Sequence, residues 1–224
     1  LMMEDHDEAV RAEAASHLGA FVLKGELDNL PESMRIANVQ NLVDVVSGND
    51  LPSVRRRALE SLGYSSNPKV HALIRQAFES EESLWKASAL FAMGRSADDQ
   101  WAPIVLKMLD SPILEVQYEA IRAAGELELK DAVEPLLAIL EDEETPGELR
   151  LAAIWALSQI GGEGVKVRLE ELAEESLDDD ELRMLDRALE NLEMTDLGEL
   201  DLMDVDSPDD ESSNSDEDAA SEND

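Results

Sequence analysis

An apolar residue followed four positions later by alanine, and four or five after that by an apolar residue or glycine, occurs five times along these 224 residues. The copies are Val10 with Ala14, Leu18 and Gly19; Val54 with Ala58, Leu62 and Gly63; Trp85 with Ala89, Met93 and Gly94; Val116 with Ala120, Ala124 and Gly125; and Leu149 with Ala153 and Leu157, whose glycine is delayed to Gly161. Leu182 opens a degenerate sixth copy in which Asp186 holds the alanine position. A self-similar period of 20 to 50 residues belongs to stacked repeats, in which each unit buries its apolar face only against its neighbours.

The anchors Val54, Trp85, Val116, Leu149 and Leu182 are 31, 31, 33 and 33 residues apart. That is room for two helices of roughly 10 to 14 residues and two short turns, so each repeat is expected to be a helical hairpin. In each first helix the marked positions share one stripe, and the alanine lets a neighbouring backbone come close. Gly19, Gly63, Gly94 and Gly125 fall where such a helix should end in a left-handed residue. The second helices are expected at Lys69 to Phe78, Trp101 to Leu109, Ala132 to Leu140 and Val165 to Ala173, with Pro68, Pro103 and Pro135 in or near first turns. No run of alternating apolar and polar residues is long enough for a sheet, so the fold class is all-α.

This pattern resembles HEAT repeats, in the short form with Val-Arg at the head of the first helix and Leu-Gly at its end. The resemblance covers roughly residues 1 to 193 and implies an α-solenoid of HEAT-like hairpins, an α-α superhelix, as a single domain of about five repeats plus a terminal cap helix. It also implies that the residue after each anchor pairs with an acid six positions earlier. Asp5 before Arg11 and Glu144 before Arg150 match this, whereas Asn49 before Arg55, Ser80 before Lys86, and Gln117 depart from it. HEAT proteins serve many functions, so the resemblance fixes the fold and not the activity.

Val10 to Val54 is 44 residues, and the excess falls near Lys24 to Glu32, which is expected to be a loop. The helix that follows is expected to run from Pro31 or Glu32 to Val46, on a stripe including Met34, Asn38, Leu42 and Val45. At the N-terminus, Met3 precedes Val10 by seven residues, as Phe78 precedes Trp85 and Leu109 precedes Val116. Leu1-Met2-Met3 therefore reads either as the last turn of a truncated second helix or as a short apolar lead-in.

Net charge is −35, from 53 acidic and 18 basic residues. Residues 194–224 hold 13 acids and no base. Residues 194–206 form an acidic stretch with helically spaced apolar residues, either a cap for the last repeat or a linear motif. Residues 207–224 cannot bury enough apolar surface to offset the entropy of ordering and are expected to be a disordered tail. Ser207, Ser213, Ser215 and Ser221 each precede an acid by three positions, a pattern of acidophilic-kinase sites that so acidic a tail generates readily. A body this acidic repels a phosphate backbone, so nucleic acid is not expected as a partner, whereas a basic protein would be attracted.

Catalytic signals are sparse. With no cysteine, thiolate catalysis, thiolate metal sites and disulfides are excluded. His6, His17 and His71 stand in no His-Glu pair or H-E-x-x-H pattern, which removes the resemblance to deoxyhypusine hydroxylases of the same repeat class. Gly161-Gly162-Glu163-Gly164 lacks the Lys-Ser or Lys-Thr of a phosphate loop, and Asp178-Asp179-Asp180 lacks the remainder of a calcium loop, so it reads as helix-dipole acids. Catalytic, cofactor-binding and metal residues are therefore all expected to be none.

The leading expectation is a non-catalytic, cytoplasmic, monomeric scaffold or adaptor that binds a protein partner along a concave face of second helices. Arg35, Asn38, Asn41, Lys69, Arg75, Gln76, Lys107, Lys166 and Arg168 are the candidate partner-binding residues. No membrane contact is expected, since no stretch of 18 apolar residues exists. An acidic chaperone holding basic proteins through the tail is the alternative. A phycobilin-lyase-like protein, with Trp85, Trp101, Trp155 and Tyr118 around a chromophore, is the third reading.

Overall fold

The computed structural model describes residues 4–176 and 178–204, and every regular element among them is a helix. The hairpins are α1 (Glu8–Glu26) with α2 (Glu32–Ser47), α3 (Pro52–Leu62) with α4 (Pro68–Phe78), and α5 (Ser83–Arg95) with α6 (Ala102–Met108). They continue with α7 (Leu114–Glu126) and α8 (Val133–Glu141), then α9 (Gly147–Ile160) and α10 (Glu163–Glu175), and α11 (Asp179–Asp204) follows. One-turn 3-10 segments, Asp99–Trp101 and Lys130–Ala132, lead into α6 and α8. The chain divides into two compact units, residues 1–192 and 193–224; the first is the stack of hairpins, an α-solenoid, and the second carries the last turns of α11. Leu1 to Met3, the serines of the tail and the remainder of residues 205–224 lie outside the described residues.

The repeat stripe is the core. Val54, Ala58 and Leu62, Ala89 and Met93, Val116, Ala120 and Ala124, and Leu149, Ala153 and Leu157 are all buried. Second helices add Val70 and Ile74, Val105 and Leu109, Leu136 and Leu140, and Val165 and Leu169. Each of α2, α4, α6 and α8 packs broadly on the first helix of the following repeat, so the hydrophobic core is continuous from unit to unit. At roughly 25 cal/mol per Å² of apolar surface removed from water, this shared burial is what makes helices of 7 to 19 residues persist.

The repeat glycines act differently from expectation. Gly63, Gly94 and Gly125 are not left-handed; Gly161 and Gly162 alone among the described glycines have positive φ. They are close-approach residues instead. A methyl on Gly63 would lie 2.8 Å from Ala92 O, one on Gly94 2.9 Å from Ala123 Cα, and one on Gly125 2.8 Å from Ala156 Cα. In every case the glycine nine positions after an anchor meets a small residue seven positions after the next anchor, and Gly19 meets Ser61 in the same register. Left-handed residues fall three positions after Gly94 and Gly125, on Ala97 and Glu128, and on Asp28 in the turn after α1. α1, α5 and α7 run past Gly19, Gly94 and Gly125, whereas α3 ends at Leu62 with Gly63 as its cap; in all four, intimate helix contact is what the missing side chain provides.

The early loop is also shorter than expected. α1 continues through Gly25 to Glu26, and only residues 27–31 connect it to α2. Gly25 is buried under the Arg35 stem, with Cγ 2.8 Å from where a methyl would stand, which holds the helix end against α2. The buried stripe of α2 is Val39, Leu42 and Val46, while Met34 is exposed. The two valines and the leucine lie within one helical face, whereas a Met34-centred stripe would have buried Asn38 and Asn41 at a desolvation cost.

After four of the anchors the next residue donates to a backbone carbonyl. Arg11 Nη1 donates to Asp5 O at 2.8 Å, Arg55 Nε to Val46 O at 2.9 Å, Gln117 Nε2 to Leu109 O at 2.9 Å, and Arg150 Nη1 to Leu140 O at 2.6 Å. Three of these acceptors are at or next to the C-terminus of the preceding second helix, whose last carbonyls have no intrahelical partner. A carbonyl needs only a donor, so glutamine serves as well as arginine. The expected pairing with an acid six positions back is corrected accordingly: Arg11 bonds Asp50, and Arg150 bonds Glu181, both acids belonging to the next repeat's entry.

Candidate functional site

The repeat register that builds the core also sets two further rows on the first helices. Positions three and six after each anchor lie off the core stripe, where Glu60, Ser88 and Ala152 are buried against neighbouring elements and the others are partly or fully exposed. The first set is Arg57, Ser88, Glu119 and Ala152; the second is Glu60, Phe91, Arg122 and Trp155. Two adjoining grooves run along these rows. One, of about 450 Å³, is lined by Arg56, Arg57, Glu60, Leu84, Ala87, Ser88, Leu114, Glu115, Tyr118, Glu119 and Glu148. The other, of about 390 Å³, shares Tyr118 and Glu148 and adds Arg122, Leu151, Ala152, Trp155 and Met184.

The polar groups within these rows are committed to different degrees. Glu60 is buried, and its carboxylate accepts from Ser88 Oγ at 2.6 Å and from Arg57 Nη1 at 2.6 Å. Glu119 is half-buried two repeats further on, on α7, and its Oε2 is sealed from water without a hydrogen-bond partner. Burial pushes its carboxyl up to about 7, against the opposing pull of Arg122. Arg122 lies over Trp155 at 5.3 Å and Phe91 at 6.0 Å, and Arg95 lies over Phe91 at 4.1 Å and Tyr64 at 5.0 Å. These cation–π contacts tie α3, α5, α7 and α9 side by side and leave apolar ring surface interleaved with charge.

The nine sequence-derived candidates occupy the other layer and do not form one cluster. Lys69 and Arg35 line a groove of about 340 Å³ with Glu26, between α2 and α4. Gln76 lines a second beside Trp85, at about 300 Å³, and Arg168 a third, between α8 and α10 at about 890 Å³. Arg168 is already bonded to Glu141 and Glu171 at 2.6 Å each, and Arg75 stacks on Trp101 at 5.2 Å. Asn41 and Lys107 are exposed, and Asn38 and Lys166 half-exposed. Nor do the four candidate chromophore aromatics converge: Tyr118 and Trp155 share a groove, Trp85 lines another, and Trp101 is fully buried.

His71 makes an edge contact with Trp101 at 5.9 Å, receives Gln100 at 3.2 Å, and stands 4.0 Å from Asp98; His17 pairs along α1 with Glu13. Asp178 caps α11 by accepting from the amides of Asp180 and Glu181 at 2.9 Å. Among the described residues no group of three or more His, Asp or Glu side chains is placed to hold a metal ion, and no helix is long and apolar enough to cross a membrane. Sequence reasoning missed Glu119 and Arg122 because it sought partner-binding residues on second helices, and it named Trp155 only as a chromophore-lining candidate. The signal was present as the fixed offsets of three and six from each anchor.

Residues 102–190 match the family model of HEAT repeats. Epoxyqueuosine reductase of Bacillus cereus is 35% identical over 77 residues, which are 34% of this chain and 20% of that protein's length. Among solved structures, an engineered protein is similar at 22% identity with a TM-score of 0.49, over 86% of this chain and 94% of its own. The phycocyanin lyase complex of Nostoc sp. is similar at 18% identity with a TM-score of 0.48, over 85% and 92%.

Proposed function

We propose that this chain, whose residues 102–190 match HEAT repeats, is a non-catalytic scaffold that holds an extended segment of a protein partner across the first helices α3, α5, α7 and α9. The observation that carries this reading is the pair of adjoining grooves that share Tyr118 and Glu148. Leu84 and Leu114 are exposed at their edge and aromatic rings line their floor, a mixture that suits a peptide better than a smooth ionic contact. The enzymes in the comparisons bring no activity to this chain, whose matched stretch spans only 20% of the reductase.

A second reading keeps the partner on the second helices, where Lys69 and Arg35 flank one groove and Gln76 another. Affinity capture with mass spectrometry separates the two. Captured proteins lost by Leu84→Glu with Leu114→Glu, but retained by Lys69→Glu with Lys107→Glu, place the partner on the first helices; the reverse moves it to the second. Capture that depends only on residues 204–224 and collapses with salt instead favours the acidic chaperone, since exposed charges are screened within about 8 to 10 Å. Proteins insensitive to every one of these changes overturn the scaffold reading.

A further inference from the structure

We propose that Arg95 and Arg122 receive the acidic side chains of an extended partner segment, whose neighbouring apolar residue sits in the groove between α7, α9 and α11. This rests on the first-helix reading above and adds to it the chemistry of the anchor residues. Six positions after their anchors stand Phe91, Arg122 and Trp155, and ten after theirs stand Tyr64 and Arg95. Rings and guanidinium groups alternate across these rows. Arg95 lies over both Tyr64 and Phe91, and Arg122 over both Phe91 and Trp155.

What sets these two arginines apart is the absence of a close acid. Arg11, Arg57, Arg150 and Arg168 each meet a carboxylate at 2.6 to 2.8 Å, the ordinary outcome in a chain of 53 acids and 18 bases. Among the described residues Arg95 has neither an ion pair nor a hydrogen bond, and Arg122 has only a loose contact with Glu126 at 3.5 Å. Both also pull on Glu119, but burial holds that carboxyl up at about 7, so near neutrality it cancels only part of their charge. Both side chains are half-exposed.

Rings against a guanidinium hold it in place and leave N–H groups at its edge, a fork that fits a carboxylate in two-pronged fashion. Lysine offers no such fork, and neither row contains one. Beside Arg122 the groove of about 390 Å³ is walled by Leu151, Trp155 and Met184, which suits one apolar side chain next to the acid. The acidic body repels such a segment from afar, but that repulsion is screened beyond about 8 to 10 Å while a contact pair is not. A phosphate, with nearly two charges, meets the repulsion twice over, so the site is assigned to carboxylates.

The test uses the full chain and a phage-displayed dodecapeptide library, panned at neutral pH in about 0.15 M NaCl. Retained peptides are expected to carry aspartate or glutamate at one fixed position beside a bulky apolar residue. Replacing that acid by its amide should weaken binding about tenfold, a readout that leaves the protein unaltered. Arg95→Lys with Arg122→Lys should weaken it about as much although the charge is kept, whereas Arg168→Lys on α10 should change nothing. Between about 0.05 and 0.3 M NaCl affinity should move by less than about threefold, because salt screens the repulsion along with the attraction. Peptides lost by Leu84→Glu with Leu114→Glu, yet indifferent to the amide or to the two lysine substitutions, overturn the arginine anchor and leave the first-helix surface standing. A phosphoserine that binds tenfold more tightly than the acid it replaces overturns the carboxylate assignment. Peptides indifferent to all of these substitutions, or no retained peptide at all, overturn both readings.

Discussion

Gly94 on α5 and Gly164 on α10 are the same residue in the two layers of one stack, with opposite surroundings. A methyl on Gly94 would stand 2.9 Å from Ala123 Cα, whereas one on Gly164 would meet nothing within 4 Å. The first layer is joined backbone to backbone, repeat after repeat. Consecutive second helices leave grooves between them, as between α8 and α10, and lean on the following first helix. Continuity therefore resides in one layer, and that same layer carries the rows of charge and aromatic rings on its outer side. A partner lying there would touch elements that cannot easily shift relative to one another.

That contrast breaks most directly at the glycines themselves. Gly94→Val should destabilise by about 3 kcal/mol, because its neighbour is backbone and a packed interior absorbs added volume poorly. Gly164→Ala should instead stabilise slightly, by about 0.5 kcal/mol, since alanine lowers the entropy of the unfolded chain in a helix with open space around it. Denaturant unfolding of both variants decides the matter; equal effects would mean that the layers do not differ as described.

Glu119 sharpens the comparison by testing how dry the first layer is. Its carboxyl is raised from an ordinary 4.5 to about 7 by burial, so the folded state binds more protons than the unfolded state between those values. Stability contributed by protonated Glu119 is fully present below about pH 4.5 and is lost as pH rises through 7. Glu119→Gln removes this titration. Relative to the unsubstituted protein it should gain on the order of 2 kcal/mol on going from pH 5 to pH 8. A constant difference across that range would mean that water reaches the carboxyl.

The smallest expected effects compare one polar side chain from each layer. Gln117→Leu removes the donor that satisfies Leu109 O and should cost about 1 kcal/mol. Arg168→Ala on α10 removes two exposed ion pairs and should leave the unfolding midpoint unchanged within error. A larger loss for Arg168 than for Gln117 would reverse the assignment of the structural load to the first layer.

Much of the architecture was legible in the chain, for a local reason. Val54, Ala58 and Leu62 share a face because a helix returns to the same side about every 3.6 residues, and the recurrence of that triplet fixes a stack of hairpins. Helix ends were less legible. The glycines occupied termination-like positions, yet their role depends on Ala92, Ala123 and Ala156 of the next repeat, contacts that no local window contains. The arginine after the anchor invited pairing with a nearby acid, but the terminal carbonyls of a packed helix compete for it at shorter chain distance than the next repeat's acid. On the exposed side, the offsets that select Glu119 and Trp155 were readable, whereas the raised carboxyl was not.

The sequence by itself determined that this protein is a row of two-helix units with an acidic surface, since periodicity and net charge are properties of the chain. Only the tertiary structure decided which layer is locked and which is grooved, that glycines serve contact instead of termination, and that Glu119 is starved of partners. Those outcomes depend on neighbours about thirty residues away in the chain, and desolvation, like steric fit, exists only after these neighbours have come together.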